Sequence, residues 1–232
     1  MEVLDNIPFY LEPGEVLKWL HINKENKYLN NIQELVEIAN SLVKPKAIYK
    51  ILYVDNKSED TVNVGGVRFT SRILRINLDK VEKLFPYIVT IGKELEDKST
   101  SSSNLLKQFY LDKIGDKALD SVRKYLEGYL KRKYRLGQIS GMSPGSLEDW
   151  PITQQEQLFS VFGNVEELIG VKLTDSLLMI PKKSVSGIYF PTEVTFYSCQ
   201  LCPREDCRER KAPYDRNLEE SYKNREARVP KV

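Results

Sequence analysis

Three thiols in nine residues are the sharpest chemical feature of this sequence: Cys199-Gln200-Leu201-Cys202-Pro203-Arg204-Glu205-Asp206-Cys207. Three thiolates at this spacing could ligate zinc or an iron–sulfur cluster. The fourth ligand would come from His21, a carboxylate such as Asp206, a thiolate of another chain, or an open iron position. The plainer reading is three ordinary reduced thiols on a polar segment. Arg204, Arg208, Arg210 and Lys211 stand beside the cluster, and neighbouring cations favour thiolates. An odd number of cysteines in one short stretch argues against a disulfide framework. His21 is the single histidine, so mechanisms built on a His dyad, a His-rich metal site or a Ser-His-Asp triad lack their parts. On the apolar face of its helix it reads as a packed core residue.

Two other segments could meet a ligand. Gly137-Gln138-Ile139-Ser140-Gly141-Met142-Ser143-Pro144-Gly145-Ser146 has no periodicity and offers backbone amides and small side chains. Lys182-Lys183-Ser184-Val185-Ser186-Gly187-Ile188-Tyr189-Phe190 places two cations and several hydroxyls at a turn, facing either a ligand or water. Neither GxxxxGK[ST] nor a GxGxxG between strand and helix is present, which argues against nucleoside triphosphate chemistry. Across 232 residues, 35 Lys+Arg oppose 33 Asp+Glu. So small a net charge implies neither a nucleic-acid nor a membrane partner. No apolar run is long enough to cross a bilayer, and the N-terminus lacks a basic and apolar leader, which reads as cytoplasmic.

The elements that must position these residues follow from periodicity. Apolar spacing predicts helices over about Glu12–Leu20, Asn30–Val43, Asn104–Arg135 with a break at Gly115, and Gln154–Phe162. Branched and aromatic runs predict strands at Ala47–Val54, Tyr87–Ile91, Ser176–Ile180 and Val185–Phe190, and Gly65-Gly66 joins Val62–Val64 to Val67–Phe69 as a hairpin. Helices and strands mix without a βαβ rhythm, which predicts an α+β domain with a largely antiparallel sheet. Residues 203–232 hold nine Lys+Arg and seven Asp+Glu with almost no large aliphatics. The division expected is a domain over 1–198 and a charged, Cys-containing tail over 199–232, too polar to build a core.

Several segments, in order, resemble one family. They are Thr90-Ile91-Gly92-Lys93-Glu94-Leu95-Glu96, Leu111-Asp112-Lys113-Ile114-Gly115-Asp116-Lys117-Ala118, Ser143-Pro144-Gly145, Trp150-Pro151-Ile152-Thr153-Gln154-Gln155-Glu156-Gln157-Leu158-Phe159, and Leu173-Thr174-Asp175-Ser176 with Pro181-Lys182-Lys183-Ser184-Val185-Ser186-Gly187. The pattern is similar to stand-alone proteins related to the activation (reactivation) domain of cobalamin-dependent methionine synthase, over about residues 10 to 190. The resemblance implies a C-shaped single α+β domain around a twisted antiparallel sheet with flanking helices. It also implies S-adenosylmethionine in a shallow groove near the Pro-Gly loop.

The implied function is an accessory activation protein. It would support reductive remethylation of cob(II)alamin, with cobalamin carried by a corrinoid-binding methionine synthase or related corrinoid methyltransferase and electrons from a low-potential donor. Carried over by position, Ser143, Pro144, Gly145 and Tyr189 are the ligand contacts retained, and no catalytic residue is implied. The family's Arg before the Pro-Gly pair and Tyr after it are replaced by Gly141 and Ser146. A second reading follows from those departures: a non-catalytic docking module for a corrinoid protein, with Cys199, Cys202 and Cys207 as a metal-binding or redox cluster.

Overall fold

The computed structural model describes residues 1–22, 29–207 and 210–224, so Arg208 lies outside the described residues. In chain order its elements are β1 (Glu2–Leu4), α1 (Pro13–Trp19), α2 (Leu29–Leu42), β2 (Lys46–Tyr49), β3 (Leu52–Lys57), β4 (Thr61–Val64), β5 (Val67–Thr70), α3 (Arg72–Asn77), β6 (Lys83–Thr90), α4 (Glu94–Thr100) and α5 (Leu105–Tyr134). Then come β7 (Gln138–Met142), α6 (Gln155–Ser160), α7 (Val165–Ile169), β8 (Lys172–Leu173), β9 (Met179–Ile180), β10 (Ser184–Thr192) and α8 (Arg216–Asn224). Every strand pair with a defined register is antiparallel, and helices flank the sheet, so the chain is α+β as expected. No described helix is long and apolar enough to cross a membrane.

The chain divides into two compact units whose boundaries fall between β2 and β3, within β6, near the end of α5, after α6 and within β10. The first holds residues 1–49, 87–130 and 162–185. In it β2 pairs with β1 on one side and with the end of β6 on the other. The long helix α5 buries Leu111, Ile114, Ala118, Val122, Leu126 and Leu130. That is one row at helical spacing, and rows of this kind drive helix packing. The break expected at Gly115 is absent: α5 is continuous. A glycine costs a helix about 1 kcal/mol, which the packed row on either side outweighs. Leu105 and Phe109, apolar residues near the start of α5, are exposed.

The second unit holds residues 50–86, 131–161 and 186–232. The hairpin β4–β5 forms about Gly65-Gly66 as expected, with Val64 opposite Val67. The single strand predicted over Ala47–Val54 is two strands. Pro86 falls opposite Lys50 and accepts its N–H at 3.1 Å; having no N–H to return, it interrupts the ladder there. Part of the aperiodic segment Gly137–Ser146 is β7, which pairs residue for residue with β10 from Gln138↔Thr192 to Met142↔Ile188. The segment Ser176–Ile180 is a strand only at Met179–Ile180. His21 is exposed, at φ 57° just beyond α1, rather than packed in the core.

Along the expected tail, Ser198–Leu201 and Arg216–Asn224 are more structured than a charged segment requires. A 3-10 helix spans Ser198–Leu201 and buries Leu201, and α8 packs its Tyr222 ring 5.9 Å from that of Phe196. Two or three apolar anchors at helical spacing suffice to hold such a helix on a neighbouring surface, however polar its outer face.

Candidate functional site

The Lys-Ser-Val-Ser-Gly segment is a structural clasp within the first unit. Lys183 Nζ lies 2.7 Å from Asp112 and 2.5 Å from Asp116 on α5, and the side chain is only 16% exposed. Its alkyl stem runs past Gly115, where a Cβ would sit 3.1 Å from Lys183 Cε. The neighbouring Lys182 donates its N–H to Glu96 at 2.9 Å and pairs with the same carboxylate. Buried Ser184 donates to Thr90 Oγ1 at 3.0 Å, and Ile91 N–H donates to the Lys183 carbonyl at 3.2 Å. The motifs around Thr90, Asp112 and Lys183 thus meet, and the two cations face carboxylates.

In the second unit, Ser143-Pro144-Gly145-Ser146 is a tight turn. Ser146 N–H donates to the Ser143 carbonyl at 3.1 Å, and Gly145 has φ 80°. Pro at the second place and Gly at the third is the type II pattern, because only glycine takes positive φ freely. Space demands glycine as well: a Cβ at 145 would lie 2.9 Å from Ile152 Cδ1. The turn satisfies its own polar groups. Ser146 Oγ also donates to the Ser143 carbonyl at 2.6 Å, and Gly145 N–H donates to the Trp150 carbonyl at 2.7 Å. Trp150 is fully buried edge-on to Phe69, and Gln154 pairs with both backbone groups of Thr70, fixing the return of the loop.

This turn borders a cavity of about 570 Å³. One wall is Gly145 to Asp149, a second is Arg72 and Ile73 at the start of α3, a third is Leu201-Cys202-Pro203, and the last is Glu219, Tyr222 and Lys223 on α8. Asp149 joins the first two walls, accepting from Ser71 Oγ and from Ile73 N–H at 3.0 Å, while Ser71 Oγ caps α3 through Leu74 N–H. Arg72 donates to the Lys223 carbonyl at 2.9 Å, and Tyr222 OH donates to Asn77 at 3.1 Å, so α8 is tied to α3. The hydroxyl of Tyr214, which precedes α8, and then Lys223 hold the Glu219 carboxyl on α8 below the usual carboxylate range, and the same bond pushes the Tyr214 phenol up. Glu148 is an exposed carboxylate on the rim.

Of the residues expected at a ligand, Gly145 lines the cavity, Ser143 and Pro144 form the turn beside it, and Tyr189 is elsewhere. Tyr189 is 2% exposed and lies across β7 from Gly141, its register partner, where a Cβ would sit 2.9 Å from the ring. The two positions are therefore coupled: glycine at 141 makes room for this ring. The α3 and α8 walls were missed by sequence reading. The one available signal was Leu218 and Tyr222, four apart in an otherwise charged stretch.

Among the described residues no three His, Cys, Asp or Glu side chains, the cysteines included, are grouped to hold an ion. Arg210 organises the segment. Its guanidinium donates to the carbonyls of Cys199 at 3.0 Å, Cys202 at 3.2 Å and Ala212 at 3.3 Å, and to that of Arg204. Lys211 N–H donates to Cys199 Sγ at 3.4 Å.

Residues 144–212 match the family described as vitamin B12 dependent methionine synthase, activation domain. Among solved structures, the fold is similar to that of the MetH reactivation domain bound to AdoHcy, with a TM-score of 0.52 and 18% identity over 79% of this chain and 70% of that one. No curated protein matches. The chain is thus activation-domain-like in fold and, over 144–212, in sequence.

Proposed function

We propose, from the likeness to the methionine synthase activation domain, that this chain takes S-adenosylmethionine into the cavity beside Ser143-Pro144-Gly145 and supports reductive remethylation of cob(II)alamin on a corrinoid methyltransferase. The carrying observation is a coincidence of position. The span that matches the family, 144–212, contains both the Gly145–Asp149 wall and the Leu201–Pro203 wall of the cavity.

The residues present suit such a ligand. The cavity falls within the roughly 300–1,000 Å³ typical of small-molecule sites. Ile73, Leu147, Leu201 and Pro203 offer apolar surface to an adenosyl group. Glu148 and the Tyr222 ring offer a carboxylate and an aromatic face to a sulfonium or ammonium charge. S-adenosylmethionine supplies an electrophilic methyl group when bound. The chain's own share is positional: Gly145 lets the backbone approach closely, Asp149 holds the two walls together, and the α8 wall keeps water from one side. In this reading cobalamin and the low-potential electron belong to partner proteins.

Titration calorimetry with S-adenosylhomocysteine, the unreactive analogue, tests the proposal. Binding should be measurable, and Glu148→Gln should weaken it several-fold. Absence of heat at millimolar ligand would refute it and leave the second reading, a non-catalytic docking module. The burial of Tyr189 against Gly141, which withholds an expected aromatic face, favours that alternative.

A further inference from the structure

We propose that Cys199 and Cys202 are a reversible dithiol–disulfide pair, a redox modification site whose oxidant is a low-molecular-weight disulfide. The proposal does not depend on the ligand assignment above. Its basis is backbone geometry. Cys199 sits in the 3-10 helix Ser198–Leu201, and Cys202 N–H closes the turn on the Cys199 carbonyl at 3.3 Å. A 3-10 turn repeats every three residues with a rise of about 2.0 Å each, so residues i and i+3 stack on one side about 6 Å apart. A disulfide spans Cα separations of about 4.4–6.8 Å. The pair thus meets the Cα separation a disulfide needs, and Cys202, at φ -97° and ψ 114°, has already left the helical conformation that would hold the two Cβ atoms parallel.

Three further observations support a pair rather than a triplet or inert thiols. Arg210 grips the carbonyls of both Cys199 and Cys202, pinning the two ends of the turn to one rigid fork. The third thiol, Cys207, is held on a different contact, its carbonyl accepting from Arg210 N–H at 3.2 Å. Cys199 and Cys202, like Cys207, are half-buried, and of the three only Cys202 is among the residues lining the cavity.

The step balances as thiol–disulfide exchange. The Cys202 thiolate attacks one sulfur of the small disulfide and displaces one small thiolate, giving a mixed disulfide. Cys199 then attacks the Cys202 sulfur, forms the internal S–S bond and displaces the second small thiolate. Two thiol protons are released from the protein, and the two electrons reside on the reduced small thiols.

Equilibration of the full chain in a graded series of glutathione redox buffers, followed by alkylation and peptide mass spectrometry, tests the site. Oxidation should join Cys199 to Cys202 in the wild type and in Cys207→Ser. The closure constant should exceed that of the same chain in urea by about tenfold or more, ~30 mV for a two-electron couple. Arg210→Gln should bring the folded value toward the urea value. A bond from Cys207 to either cysteine, dimers only, mixed disulfides only, or a folded constant equal to that in urea would each overturn the proposal. The wild-type comparison stands even where Arg210→Gln fails to fold.

Discussion

The packing of Tyr189 on Gly141 yields a sign that simple propensity gets wrong. Gly141 lies inside β7 with an ordinary backbone conformation, so Gly141→Ala relieves the chain entropy of a strand glycine and should stabilise by about 0.5–1 kcal/mol. Against that, the new Cβ would lie 2.9 Å from Tyr189 Cε1 and 3.1 Å from Cδ1. The ring is 2% exposed and has no open side to retreat into. Overpacking of a closed core costs about 1–3 kcal/mol, so the clash wins and Gly141→Ala should lose ~0.5–2 kcal/mol net. In a Tyr189→Val background, itself costly by about 3 kcal/mol through its cavity, the ring edge is gone and the same Gly141→Ala should become neutral or stabilising. Urea unfolding followed by far-UV circular dichroism, applied to the four members of this double-mutant cycle, reads the coupling directly. A stabilising Gly141→Ala in the wild type, or an equal cost in both backgrounds, would refute the reasoning.

Two more outcomes follow from the first unit. Lys183→Met should cost about 1–2 kcal/mol, less than a fully buried pair because Asp112 and Asp116 still reach water; a urea midpoint unchanged from wild type would show the clasp to be idle. At Glu94, partial burial works against the charge, but the Lys44 hydrogen bond at 2.8 Å and backbone N–H groups outweigh it and hold the carboxyl below the usual carboxylate range. A carboxyl lowered in the folded state stabilises above its unfolded ionisation and loses that contribution as pH falls through the folded one. Lys44→Met should therefore cost up to ~1 kcal/mol at neutral pH and nothing in acid, and a gap that persists at low pH would contradict the pairing.

Periodicity alone placed α2, most of α5, the β4–β5 hairpin and β10, because each carries its apolar pattern in consecutive residues. It also marked Gly137–Ser146 as aperiodic, and within that segment proline and glycine constrain their own dihedrals whatever surrounds them. Where the reading departed from the structure, the cause was a residue distant in sequence. Gly115 stays helical within a packed row, with Lys183 against it, Pro86 splits the strand opposite Lys50, and Ile139 to Met142 become a strand only by pairing with β10. The candidate site divides in the same way. Its Pro-Gly wall was legible as local turn chemistry, and the cysteine spacing was legible as a cluster of thiols. That Arg72, Asp149, Leu201 and Tyr222 enclose one cavity, that Tyr189 fills the space above Gly141, and that Arg210 gathers the carbonyls of the cysteine segment were decided by tertiary structure. A sequence encodes short-range dihedral and periodic preferences directly, whereas these contacts join residues 48 to 150 positions apart, or depend on a single arginine choosing carbonyls over water, and exist only once the packed chain has brought them together.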